Sequence, residues 1–310
     1  MTAAGPVTTA TPAGSIYDLG YRHYEGKRNG RVYAMWSLFV ESFRGVWGFG
    51  RPMTAKAAPF ILLALYAFAA FIQLAFSSII FQSISQPGAS TEGLFTYANY
   101  YSRLGILVLF FCVAQAPEVV CRDQRYQVLP LYFTRAMGRI EYALARLAAL
   151  VLALFLVLLL PVVALFVGDV LMKPDTFQAI GSEWPQALPS VPGDALVALG
   201  MASLSLAISS FSPRRAYSAI GIVAYVLLME AIPAAINSVG ETAGWTWSDK
   251  LFAFSPITSL EGALSWFFGR SLDPESFTGT LTSGDFVVAA IAGAAVATAV
   301  LCFRYRRMSA

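Results

Sequence analysis

Six runs of apolar residues, at 59–81, 104–120, 143–167, 195–210, 219–236 and 286–303, constrain this 310-residue chain more than any other feature. Each approaches or exceeds the roughly 18–20 residues that an α-helix needs to cross a bilayer. In hydrocarbon every backbone N–H and C=O must be satisfied within the protein, so such runs fold as helices or not at all. Charged residues make up 13% of the chain, about half the ~25% of a soluble domain. The expected class is an all-α polytopic membrane protein with six transmembrane helices. Pro161, inside the third run, is expected to kink its helix.

The polar segments between the runs alternate in charge. Seventeen of the 21 Lys and Arg residues fall before the first run, at 118–146, at Arg214–Arg215 and in the tail at Arg304–Arg307. The other side holds Arg103, Lys173, Lys250 and Arg270 against eleven acids. The bias of basic residues toward the cytoplasm places both termini in the cytoplasm, with the chain expected in the cell (plasma) membrane. Two domains follow from this layout. Residues 1–57 form a cytoplasmic tail and an amphipathic helix, and 58–307 the six-helix domain, with a cytoplasmic loop at 118–146 and an extracellular loop at 237–284. Residues 1–15 read as a polar, disordered tail without the basic start and apolar core of a signal peptide.

Two segments are apolar without being long enough to span. Over 32–47, Val32, Trp36, Phe39, Val40, Phe43 and Trp47 recur at helical spacing. With Arg31, Arg44 and Arg51 beside them, they suit a helix lying in the membrane interface; the bland alternative is a helix packed on soluble protein. In 237–284, short clusters at 251–254 and 264–268 read as re-entrant or interfacial helices sheltered by protein. Around the same boundary Tyr97, Tyr100, Tyr101, Trp184, Trp245, Trp247 and Trp266 suit an interfacial aromatic belt. The segment 169–194, with Pro174, Pro185, Pro189 and Pro192, reads as a loop.

Several functions lack the residues they would need. The one histidine, His23, cannot assemble a histidine metal cluster or a catalytic triad within the chain. Cys112, Cys121 and Cys302 show no C-x-x-C spacing, so neither a disulfide framework nor a zinc site is expected. Gly26-Lys27 lacks the preceding glycine and following hydroxyl of a phosphate-binding loop. A net charge of +3 with dispersed arginines gives no reason to expect nucleic acid as a partner. The expected partners are the lipid bilayer and other protein chains, and no catalytic residue, metal or cofactor is assigned to this one.

Three polar residues inside or beside the spans stand out. Glu230 is the one acid inside an apolar run. Either it faces a cavity and handles substrate or protons, or it is a carboxyl near the end of its helix bonded to a neighbour, since Pro233 and Asn237 follow. Gln115 and Glu118 close the second run; they orient the loop that follows or simply end the helix.

That loop is the most distinctive stretch. It carries Arg122, Arg125, Arg135, Arg139 and Arg146 around an apolar knot of Leu129, Leu131, Tyr132 and Phe133 at Pro130. Its pattern E-x-x-x-R-D…L-P-L-Y-F-T-R-x-x-x-R-x-E-Y, from Glu118 to Tyr142, resembles the second-to-third loop of the type-2 class of ABC exporter permeases. The amphipathic helix before six spans, the segment Phe254–Leu264 and the turn Ser212–Ser218 are similar to that family's layout. The resemblance implies that the loop contains a coupling helix docking on a separate ATPase subunit, with Arg122, Asp123, Leu129, Tyr132, Phe133, Arg135 and Arg139 in contact. It also implies a second permease subunit, the same or homologous, and two ATPase copies carrying ATP and Mg. In such permeases the second and fifth spans line the path, which keeps Glu230 in view, and an apolar path would suit lipids, hydrophobic drugs or peptides. Two other classes compete: a proton-coupled secondary carrier, which would want more intramembrane acids or inverted repeats, and a non-transporting anchor that recruits a soluble protein through the same loop.

Overall fold

The computed structural model describes residues 26, 29–83, 97–133, 137–172, 175–270 and 281–308, with side chains excepting 54, 77–83, 97–104 and 172. The tail 1–15, His23, Gly26-Lys27 as a pair and Glu92 therefore lie outside the described residues. Among those described, every regular element is a helix. Ten α-helices run in order: α1 Arg31–Val46, α2 Met53–Ser83, α3 Tyr97–Arg125, α4 Leu129–Phe133, α5 Arg139–Met172, α6 Thr176–Ala187, α7 Ser190–Ser209, α8 Arg215–Ala243, α9 Pro256–Phe267 and α10 Ser283–Arg307. A 3-10 helix, Ser248–Phe254, precedes α9. Six helical segments are long and apolar enough to cross a membrane. The chain is an all-α polytopic membrane protein.

The helices outrun the apolar stretches that announce them. α3 continues to Arg125, α5 begins at Arg139 and α8 reaches Ala243, because intrahelical hydrogen bonds remain satisfied after the side chains turn polar. Pro161 lies inside α5, which continues through it. The segment expected to be a loop at 169–194 instead contains α6 and the start of α7, which abut at Leu188–Pro189. α6 packs along α5 and buries Ala179 and Glu183, so one face of an apparently polar segment is protein-facing.

The core lies between α5, α7 and α3, where Leu150, Leu154, Val157, Ala198, Ala202 and Phe111 are inaccessible. α1 packs on α5 through Leu38, Ser42 and Val46. The aromatic stripe turns inward along its length: Val32 and Trp36 are exposed, Phe39 and Phe43 are half-buried, and Trp47 is buried in the core. Trp36, Phe39, Phe43 and Trp47 form a ladder of ring contacts that ends on Phe60 of α2. A ladder exposed at its Trp36 end, on a helix held beside the bundle, suits an interfacial position.

At the far end, α9 packs against α10 and α7, burying Leu260, Gly262, Ala263 and Leu264. The approach is close enough to exclude side chains: a Cβ on Gly262 would lie 2.5 Å from Phe286, and one on Gly193 2.6 Å from Leu264. Helix α9 is thus a short segment sheltered by protein, as irregular or broken backbone at membrane depth requires. Trp184, Trp245, Trp247 and Trp266 are exposed around this end, with Trp245 and Trp247 stacked at 5.4 Å; the side chains of Tyr97, Tyr100 and Tyr101 lie outside the description.

Candidate functional site

The end of the bundle that carries most of the arginines is built around the α3–α5 connection. α3 stops in a left-handed turn at Gln127, with φ of 51°. The Val128 N–H reaches back to the Asp123 carbonyl at 3.2 Å and the Gln127 N–H to that of Gln124 at 3.3 Å, the paired bonds of a Schellman ending. The chain then forms the single turn of α4.

Tyr142, at the start of α5, is the hub on which that turn rests. Its ring meets Tyr132 at 5.4 Å, Phe133 at 5.9 Å and Tyr305 of α10 at 5.3 Å. Its hydroxyl donates to Asp123 Oδ2 at 2.5 Å, and the same oxygen accepts from Arg146. Arg146, 8% exposed, also donates to Ser42 Oγ of α1 at 2.9 Å. One buried arginine thereby joins α1, α3 and α5. A desolvated pair of this kind is costly to leave half-made, which fixes the three helices relative to one another. Burial and the nearby Asp123 carboxylate push the Tyr132 phenol above its ordinary pKa, so it stays a neutral hydroxyl.

The residues expected to dock a partner divide into two groups. Leu129 is buried, Tyr132 and Phe133 are half-buried on Tyr142, and Asp123 is occupied by Tyr142 and Arg146; these hold the turn in place. Arg139 stacks over Phe133 at 5.7 Å and donates to the Arg306 carbonyl at 3.0 Å, clamping the connection to α10. Arg122 is exposed. Arg135 lies outside the described residues. The most exposed apolar side chain of α4 is Leu131, 66% accessible, which belongs to the apolar knot but not to the residues the resemblance carried over.

Glu118 does more than end a helix. It pairs with Arg51, in the turn between α1 and α2, and with Arg215 at the start of α8. Nearby, Gln124 Nε2 donates to the Ser210 carbonyl at 3.0 Å, and Cys121 Sγ lies 3.1 Å from Ser218 Oγ. Gln115 is buried and shares with Glu118 the wall of a cavity of about 580 Å³. Composition hinted at none of these partnerships, because the paired residues are 67 and 97 positions apart in sequence.

Glu230 is a helix cap. Its Oε1 accepts the N–H groups of Ile257 and Thr258 at 2.7 and 3.3 Å, and its Oε2 the Thr258 hydroxyl at 2.6 Å. A carboxylate on the first-turn N–H groups satisfies donors that a helix leaves open and opposes its dipole. This is the neighbour-bonded alternative, with α9 as the neighbour. A second acid, Glu261, lies on α9, a segment too short to span. It borders an apolar crevice with Tyr66, Val108 and Leu158, and burial together with the charge of Glu230 pushes its carboxyl up to about 7.

The comparisons add no relative: no protein-family model matches the sequence, and no curated protein matches it.

Proposed function

We propose that this chain is the membrane-spanning permease subunit of an ATP-driven ABC exporter. Its basic end faces the cytoplasm and docks on a separate ATPase subunit through the α3–α5 connection. The observation that carries the reading is the single-turn helix α4. It is seated on Tyr142, braced by the Asp123–Arg146 pair and clamped to α10 by Arg139, yet it leaves Leu131 and the Arg122 guanidinium outward. A short helix fixed rigidly to two long spans transmits a push on its exposed side to both of them, as a coupling lever must. The free faces of the bundle support pairing with a second permease subunit. The apolar parts of α8 and α2 are only 17% and 22% buried, whereas that of α3 is 56% buried, so α8 and α2 have the larger surfaces left for a partner or a path. ATP and Mg belong to the ATPase in this reading, and the exported substrate would be apolar.

Co-expression with a cassette ATPase encoded in a neighbouring reading frame tests this. Wild type should co-purify with the ATPase and stimulate its hydrolysis. Leu131→Asp, which leaves the contacts of Leu129 and Tyr142 in place, should reduce co-purification by roughly tenfold or more, the size of effect at a central contact residue. A purified chain that binds no ATPase and moves substrate on a proton gradient alone would overturn the reading.

A further inference from the structure

The cavity beside Glu118 is not explained by docking. Its volume, about 580 Å³, lies within the ~300–1,000 Å³ of small-molecule sites. Four guanidinium groups border it, those of Arg51, Arg122, Arg125 and Arg215, and one carboxylate, Glu118. Glu118 pairs with Arg51 and Arg215; Arg122 and Arg125 have no ion-pair partner among the described residues. The imbalance is felt inside the cluster. Burial pulls the Arg51 guanidinium below its ordinary pKa; Glu118 opposes the shift, and Arg122 and Arg215 add to it. Such a cluster is short of negative charge.

The rest of the lining has a different character. Gly45, Ala55, Ala58 and Ala114 border the same space, and Ala58 and Ala114 are exposed on α2 and α3, two helices that span the bilayer. A cleft of about 390 Å³ adjoins it, sharing Gly45, Arg51, Glu118, Arg122 and Tyr126. A soluble anion needs only the guanidinium groups. The exposed Ala58 and Ala114, on two helices apolar and long enough to span, are what the ester region and upper acyl chains of a lipid would cover. Basic residues at a membrane surface bind anionic lipid headgroups.

We infer that this cavity binds the phosphate headgroup of an anionic phospholipid, held by Arg122 and Arg125 with Arg51 and Arg215, its acyl chains lying along Ala58 and Ala114. The site needs only the permease, so it is measured without an ATPase and stands or falls apart from the docking reading.

Native mass spectrometry of the purified full chain, in detergent micelles with equal amounts of phosphatidylglycerol and phosphatidylcholine, tests it. Phosphatidylglycerol should be retained over phosphatidylcholine, and retention should fall about fivefold for each arginine removed in Arg122→Gln and Arg125→Gln. Both variants leave the ion pairs of Glu118 intact, and an unchanged gel-filtration profile shows that they fold. Arg214→Gln, on the same end but outside the cavity, should change nothing. Ala114→Leu, which narrows the crevice without touching charge, should also lower lipid retention. Equal retention of the two lipids, or equal loss in Arg214→Gln, overturns the proposal. Full displacement of lipid by inorganic phosphate, with Ala114→Leu silent, makes it a site for a free anion and overturns the lipid assignment. No retained phosphatidylglycerol in the wild type, or retention unchanged in Arg122→Gln and Arg125→Gln, also overturns the proposal.

Discussion

The two ends of the bundle are held together by different means. At the basic end, charged side chains from distant parts of the sequence are paired. Asp123 with Arg146, Glu118 with Arg51 and Arg215, and Glu141 with Arg31 join α1, α3, α5 and α8. At the other end the short helix α9 is fixed by close apolar packing on glycines and by one carboxylate accepting main-chain N–H groups. A buried charge must be paired or hydrogen-bonded at either end: opposite side-chain charges do this for Asp123 and Glu118, and main-chain N–H donors for the half-buried Glu230. The difference implies that the basic end is a rigid frame sensitive to charge removal, whereas the α9 end is sensitive to protonation.

The largest expected effect comes from the frame. Arg146→Met should destabilise the folded protein by about 3–5 kcal/mol, because Asp123 is left in a buried position without its counter-charge. The double variant Asp123→Asn/Arg146→Met should recover part of that loss, since removing both partners leaves no uncompensated charge. Thermal unfolding in detergent, followed by intrinsic fluorescence, measures both. A midpoint unchanged in Arg146→Met would mean that the pair does not brace the end, and the contrast between the two ends would collapse.

The α9 end should respond to pH. The Glu261 carboxyl titrates near 7 in the folded protein, above the ~4.3 of an unperturbed glutamate. The folded state therefore holds a proton that the unfolded chain has lost between those values. Stability from this group is fully present below about pH 4.3 and is lost as pH rises through about 7. The total is at most about 4 kcal/mol at ~1.4 kcal/mol for each pH unit. Glu261→Gln should flatten the dependence, so melting curves at pH 5 and pH 8 should converge in the variant. A wild type whose midpoint does not fall across that interval would show that Glu261 is not held protonated.

The six spans were legible because bilayer thickness converts directly into run length. The limits of the helices were not, because a helix leaving hydrocarbon keeps its hydrogen bonds while hydropathy falls. α6 was hidden for a related reason: acids and Pro185 disguise a segment whose buried face shows only against α5. At the candidate site the sequence singled out the α3–α5 connection but could not rank its arginines. In sequence Arg122 and Arg146 are alike. In space one is exposed beside a cavity and the other is buried against an aspartate 23 residues away. Helical spacing did offer one unused signal, since Tyr142 and Arg146 lie one turn apart on the same face and the guanidinium sits 5.2 Å over the ring. The bonds of Glu230 to Ile257 and Thr258 become visible only with the position of α9, 27 residues away in sequence.

The smallest effect sharpens the comparison through a device that both ends share. α3 ends at Gln127 and α8 at Gly244, each in the left-handed region, with φ of 51° and 72°. Each is followed by a residue whose N–H returns five positions, Val128 to Asp123 and Trp245 to Gly240. Glycine adopts this conformation freely, whereas a residue with a Cβ is strained there by about 1–2 kcal/mol. Gln127→Gly should therefore stabilise the basic end. The gain should be only about 0.5–1 kcal/mol, because the more flexible glycine loses more entropy on folding. Gly244→Ala should cost about 1 kcal/mol at the α9 end, although open space surrounds the added Cβ. Opposite shifts of about 2 °C in the unfolding midpoint are expected for a chain of this size. A Gln127→Gly variant that lowers the midpoint would show that the Gln127 side chain makes a contribution larger than its backbone strain.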